Sequence, residues 1–271
     1  FSNRYQRIIQ KTEPYILGYP GSFKGFDFNP FGIFIPEQNR LSCTSMKNEK
    51  FFDHLHSLDR LSFGPKGMPM DKWVFYDCGE MPGGIFGFGV RPKDLPEVGL
   101  SEYKVRASDE ELVPISMYIA IPMAHSTSWF GHNLSSVSKM FGDFAGLGTL
   151  TKAVALKVFC IETLFGATQW DSKSLNIHLQ LANLTMESAW TPAHSFKNTL
   201  TYRSVYSEES IIQALSEVPR LADDWDFLYP PDDEEFSKNI QHRIEKGEKF
   251  EIVGRPVKKS GKDFFPIKLR K

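Results

Sequence analysis

The residues of this chain best spaced for chemistry are Gly146, Leu147 and Gly148, followed by Thr149, where a strand pattern gives way to a helical one. Glycines without side chains let a ligand approach the backbone. The first N–H groups of a helix have no intrahelical acceptor, so an anionic phosphate can be held there without a charged side chain. Thr149 adds a hydroxyl donor. The same glycines also suit a tight turn that only opens a helix. The sequence holds no G-x-x-x-x-G-K-[ST], H-E-x-x-H or G-x-S-x-G pattern. Gly83, Gly84, Gly87 and Gly89 do not form G-x-G-x-x-G and read as turn and strand packing. His54 and His56 lie two apart on a helical pattern, on different faces, which disfavours a shared metal. Asn133-Leu134-Ser135 and Asn183-Leu184-Thr185 match the glycosylation pattern but fall in strand-like segments of a cysteine-poor chain, where they read as chance. Asp77, Glu80 and His125 are either the acceptor side of a cleft or turn residues, and residues 190–195 are either a hairpin turn or a pocket wall.

These residues need elements to hold them. Residues 114–122 and 129–137 are rich in β-branched and aromatic side chains and read as two strands. Residues 149–159 have no internal Gly or Pro, and Leu150, Ala153, Val154, Lys157 and Val158 follow helical spacing. A strand near 162–170 leads to Asp171 and Ser172, an N-cap pair for a short helix reaching His178 or just beyond, and strands follow at 184–190 and 199–205. Upstream, the first forty residues read as short strands and turns. Residues 40–45 read as a strand, and Asn48 caps a helix with Phe51, Phe52, Leu55, Leu58 and Leu61 on one stripe. Residues 73–77 and 85–90 read as a hairpin turning at Pro82, Gly83 and Gly84, and 91–112 as a polar loop.

Composition bounds the rest. The 271 residues, 41% hydrophobic and 24% charged, suit a globular chain with one large domain or a domain plus an extension. No apolar run reaches the ~18 residues of a membrane helix. A net charge of -1 gives no whole-molecule attraction to nucleic acid or anionic lipid, so neither is an expected partner. Cys43, Cys78 and Cys160 are too few and too scattered for a disulfide framework or zinc knuckle, which fits a reducing, cytoplasmic setting. The chain opens at Phe1 rather than methionine, pointing to a processed start. Twenty-three phenylalanines imply an aromatic core. Residues 217–235 are acidic and 255–271 basic, and two such blocks can pair with each other.

The element order and three local patterns resemble the GNAT acyltransferase superfamily, whose members pass an acyl group from acyl-coenzyme A to an amine. The family opens a helix with Q/R-x-x-G-x-G/A; here Asp143-Phe144-Ala145-Gly146-Leu147-Gly148 keeps both glycines and puts aspartate at the usual arginine or glutamine. Residues 166–178 resemble the family's strand, asparagine and helix ending in tyrosine, with Asp171 at the asparagine and His178 at the tyrosine. Residues 41–63 resemble the first strand and substrate-side helix, and 73–90 the hairpin after it.

The resemblance implies a mixed α/β sheet of GNAT type spanning 40–207, with an aromatic-rich segment at 1–39 packed on it and a charged extension at 208–271. It implies acyl-CoA, acetyl or longer, as co-substrate, a small-molecule acceptor and no metal. Backbone N–H groups of Gly146, Leu147, Gly148 and Thr149 would hold the pyrophosphate. Ser135, Ser136 and Val137 would lie beside the pantetheine arm, and Asp171 with Ser172 would also lie on the cofactor side. His178 stands where the family has its acid, and His132, in the preceding strand, is the nearby candidate base. Asp143 would repel a pyrophosphate unless it points away. A GNAT-like chain that binds without catalysis, and a Phe-rich binder of apolar ligands unrelated to coenzyme A, are the alternatives. A nucleic-acid role for 255–271 ranks last, because the acidic block can neutralise it.

Overall fold

Strand β1 (Glu13–Gly18) runs antiparallel to β3 (Gly84–Val90) and parallel to the two-residue β2 (Arg40–Leu41). Antiparallel pairing continues from β3 to β4 (Val113–Pro122) and from β4 to β5 (Ser128–Ser136). The computed structural model describes all residues except 81–82, 95–106, 125–126, 140–141, 195, 223 and 271. It divides into two compact units, Phe1–Ile161 and Glu162–Lys271.

In the first unit β3 is buried along its whole length, so helices must cover both faces of the sheet. Successive residues of a strand point to opposite faces, and the glycines of β3 report what covers each. A Cβ on Gly84 would lie 2.5 Å from Phe159, whereas Ile85 meets Gly79. One face therefore carries helices α2 (Glu49–Phe63) and α3 (Lys72–Glu80); the other carries α4 (Leu147–Val158), which ends beside Phe159. The N-terminal helix α1 (Asn3–Lys11) turns Tyr5 and Ile8 inward. The glycines of β3 are packing residues, as the sequence suggests. A Cβ on Gly87 would sit 2.0 Å from the Ser116 carbonyl and 2.5 Å from the hydroxyl of Tyr15, which lies across it and donates to that carbonyl at 2.8 Å.

The second unit is a sheet of β6 (Thr163–Gln169), β8 (Thr199–Val205), β7 (Leu184–Ser188), β10 (Lys249–Ile252), β12 (Lys262–Arg270) and β11 (Val257–Lys259), with β9 (Phe227–Tyr229) also on β12. Helices α5 (Lys173–Leu181), α6 (Glu208–Leu215) and α7 (Glu234–Glu245) belong to it. Its core centres on Trp170 stacked on Tyr229 at 4.0 Å, with Phe250, Phe265 and Ile267 around them. Residues 208–271 thus supply strands and core side chains as well as charge. The acidic and basic blocks do pair, through Asp224 with Lys268 and through Asp232 with Lys262 at 3.2 Å.

The mixed α/β sheet is the expected fold class, and β4, β5, α4, β6, α5, β7 and β8 fall where the sequence places them. Three expectations change. Residues 3–11 form a helix, capped by the Ser2 hydroxyl and burying Tyr5 and Ile8 three apart. Residues 72–80 form a helix rather than the first arm of a hairpin: Phe75, Cys78 and Gly79 are buried at helical spacing while Trp73 and Tyr76 face out, so helical period outweighs aromatic strand propensity. The predicted strand at 40–45 pairs only at Arg40 and Leu41, because residues 46–48 already wind into a 3-10 turn. Of the hairpin turn, Pro82 lies outside the described residues.

Candidate functional site in the first unit

The site is built where β5 passes into α4. Along β4 and β5, Ile119 faces Asn133 and Ala120 faces Gly131, which leaves His132 as an extra residue in β5. Such a bulge bends a strand and re-aims a side chain. The His132 ring lies at the exposed surface, edge-on to Phe130 at 6.4 Å, yet the protein crowded around it desolvates the imidazole and lowers its pKa below the ordinary value. It is therefore neutral, and a proton acceptor, at pH 7.

The bulge is anchored from beneath. Asn133 donates its amide to Asp59 Oδ1 at 3.0 Å and accepts from the Ser135 hydroxyl at 3.0 Å, while Asp59 Oδ2 accepts from the Met70 N–H at 2.6 Å. Asp59 is wholly buried, and that burial raises its pKa against the opposing effect of the two hydrogen bonds. One carboxylate thus ties α2, the segment before α3 and β5 together.

Past β5, Val137 is buried, and the Ser136 hydroxyl shares a hydrogen bond with Ser138 at 2.9 Å. The chain then reaches Gly146, whose φ of 94° is the left-handed conformation that glycine adopts without strain, and α4 begins. The Leu150 N–H to Gly146 carbonyl bond, 3.1 Å, is the first of its ladder, so the N–H groups of Leu147, Gly148 and Thr149 have no acceptor within the helix. Leu147, Gly148 and Thr149 are buried; the lip of the loop is Asp143, Ala145 and the half-buried Gly146.

Asp143 does not confront that lip as a bare charge. Lys11 of α1 binds its Oδ2 at 2.8 Å, which lowers the Asp143 pKa, and Arg7 adds to the effect. Arg4 and Tyr5 of α1 border Gly146, where an added Cβ would lie 3.3 and 3.1 Å from them. Cations of α1, far away in sequence, thus flank the loop. Below the loop, Lys152 of α4 is wholly buried with its ammonium 5.9 Å from the Tyr118 ring, and burial holds its pKa well below the ordinary lysine value.

The first unit gathers His132, Ser135, Ser136, Val137, Gly146, Leu147, Gly148 and Thr149 along one strand, loop and helix start. Asp171, Ser172 and His178 belong to the second unit. There Ser172 caps α5 by accepting from Ser174 N–H at 3.3 Å, Asp171 is exposed, and the buried His178 ring lies 5.2 Å from that of Tyr202. Between β7 and β8 the Thr191 N–H bonds the Lys197 carbonyl at 2.9 Å and the His194 N–H bonds the Thr191 carbonyl at 3.1 Å, in keeping with the hairpin-turn reading; Ser195 lies outside the described residues. Asp77 is exposed, while His125 and the side chain of Glu80 also lie outside the described residues.

Asp59, Lys11 and Lys152 were not singled out from sequence. Asp59 could have been: it falls four residues after Leu55 on an apolar stripe, where a carboxylate must be partnered. Among the described residues no group of three or more His, Cys, Asp or Glu side chains is placed to hold a metal, and no helix is long and apolar enough to cross a membrane.

No family profile and no curated protein matches the sequence. Solved structures similar to the chain are acetyltransferases at low identity. The NatC complex bound to Gag peptide and CoA has a chain 10% identical, covering 60% of this chain and 94% of its own, at a TM-score of 0.41. The ribosomal-protein-S18-alanine N-acetyltransferase from Escherichia coli is 7% identical over 65% of this chain and 93% of its own, at 0.38. The aminoglycoside 6'-acetyltransferase type Ii is 14% identical over 59% and 93%, at 0.39.

Proposed function

We propose that the chain binds acyl-coenzyme A at the lip before α4 and transfers its acyl group to an amine. The observation that carries this reading is the succession, within the first unit, of a bulge at His132 in β5 and a left-handed glycine opening α4, whose first N–H groups have no acceptor within the helix. The ion pair of Asp143 with Lys11 supports it further, since it removes the repulsion that an unpaired carboxylate would exert on a pyrophosphate.

In this reading the amine nitrogen attacks the thioester carbonyl carbon, His132 takes the proton the nitrogen sheds, the C–S bond breaks, and the departing thiolate takes a proton from an acid. His178, at the family's tyrosine position in the sequence pattern, is the proposed acid. Asp171 and Ser172 stay with the same reading as cofactor-side residues. A small-molecule amine is the proposed acceptor, and the three scattered cysteines suit a reducing, cytoplasmic setting.

Calorimetric titration with coenzyme A and acetyl-coenzyme A tests this. Ala145 is exposed on the lip, so Ala145→Glu places a carboxylate there without disturbing the core. Saturable binding weakened about tenfold or more by Ala145→Glu is expected, given the charge introduced beside the pyrophosphate. Absence of binding by the wild type rejects the reading and favours the apolar-ligand alternative.

A further inference from the structure

A recess in the first unit, of about 560 Å³, lies between residues 43–46, Glu49 and Phe52 of α2, and Lys72, Trp73 and Tyr76 of α3. We propose that it binds a small organic cation, a protonated amine or quaternary ammonium, whether or not the chain transfers acyl groups. Its volume lies in the range of small-molecule sites.

Three observations carry the proposal. First, Trp73 is 64% and Tyr76 41% exposed, two aromatic side chains three residues apart on one side of α3 that the core does not use. Aromatic faces attract cations through the ring quadrupole, tryptophan most strongly. Second, the charge that the recess leaves uncompensated is negative. Lys72 is held by Asp53 at 2.5 Å, and the neighbouring Lys50 by Glu111 at 2.8 Å, whereas no ion pair engages Glu49 among the described residues. Third, the opposite wall is fixed before any ligand arrives. Asn48 donates its amide to the Ser42 carbonyl at 2.8 Å, Ser45 N–H bonds the same carbonyl at 3.3 Å, and the Thr44 N–H bonds the Ser42 hydroxyl at 3.2 Å. A pre-ordered wall lowers the entropy lost on binding. Phe52, nearly buried, forms the floor. Aromatic faces, one free carboxylate and a rigid polar rim together select a compact cation over an anion or a neutral hydrocarbon.

The probes are choline and its uncharged isostere 3,3-dimethylbutan-1-ol, titrated into the full chain without coenzyme A and followed by NMR and calorimetry. Saturable choline binding is expected at millimolar concentrations. It should be roughly three- to thirtyfold weaker for the isostere and for Trp73→Leu, the range of one cation–π contact, and weaker also in Glu49→Gln. Both side chains are exposed, so both variants should fold, and unchanged far-UV circular dichroism verifies this. Equal affinity for the two probes would show an apolar recess, and no saturable choline binding would show no site; either result overturns the proposal. Neither bears on coenzyme A, whose binding is measured separately with Ala145→Glu.

Discussion

Asn133 donates its side-chain amide to the buried Asp59 at 3.0 Å, directly next to the residue that bulges out of β5. The bond joins the helical layer over the sheet to the one irregular point of the strand. Asp59→Ala would leave the Asn133 amide and the Met70 N–H without a buried acceptor. Each such orphan costs about 1–3 kcal/mol, so the variant should lose about 3 kcal/mol in urea denaturation. Ser57→Ala, on the exposed side of the same helix, should change stability by less than about 0.5 kcal/mol.

The close approach of Tyr15 to β3 predicts a severe effect at a residue of no chemical interest. Gly87→Ala places a Cβ 2.0 Å from the Ser116 oxygen and 2.5 Å from the Tyr15 hydroxyl, both held in the sheet core. Overpacking of this kind costs at least about 3 kcal/mol, and loss of soluble expression is an expected form of it. Gly25→Ala, where nothing lies within 4 Å, should be near neutral in the same thermal melt.

How much of this was legible in the sequence follows from the range of the forces involved. Strands β4 and β5 and helix α4 are set by local propensity and by the glycines at 146 and 148, and the sequence shows them. Helix α3 is local too, but its Trp73, Val74, Phe75 and Tyr76 favour a strand by type; only burial of Phe75, Cys78 and Gly79 on one face decides for helix. The bulge at His132 is invisible to a period-two pattern, because it is a property of register against β4. Lys11 and Asp143 are 132 residues apart, so their pairing depends on the fold that brings α1 to the loop. The place of β10 beside β7 likewise depends on a long-range pairing, in a tail whose charged composition resembles a solvated extension.

Lys152 makes a pH-dependent prediction. Its pKa in the folded chain is lowered from 10.5 by burial, so the folded state holds its proton less well than the unfolded state. Stability tied to this group is therefore complete above the unfolded value and is lost as pH falls toward and through the lowered folded value. Lys152→Met removes that slope. By comparison with buried ionic groups replaced by apolar ones, it should gain about 1–4 kcal/mol near neutral pH. Guanidinium denaturation at pH 8, 9 and 10 should show the advantage of the variant growing as pH falls; an advantage that does not change with pH would mean that Lys152 keeps its proton in the folded chain.

His132 offers the sharpest chemical test, because the same desolvation governs both its stability effect and its proposed role. Its pKa is lowered from 6.5, so stability tied to the neutral ring is present above 6.5 and is lost as pH falls through the lowered value. For acyl transfer, a base with that pKa gives kcat/KM an acid limb that breaks below pH 6.5, distinct from the limb at higher pH set by deprotonation of the acceptor amine. His132→Gln should erase the lower break and reduce kcat by about 10²–10⁴, the usual contribution of a general base. Coenzyme A affinity should be unchanged, since the lip is formed by residues 143–146 rather than by the bulge. A variant that keeps both the rate and the lower break would show that the amine reaches the thioester already neutral, and would move the search for a base away from β5.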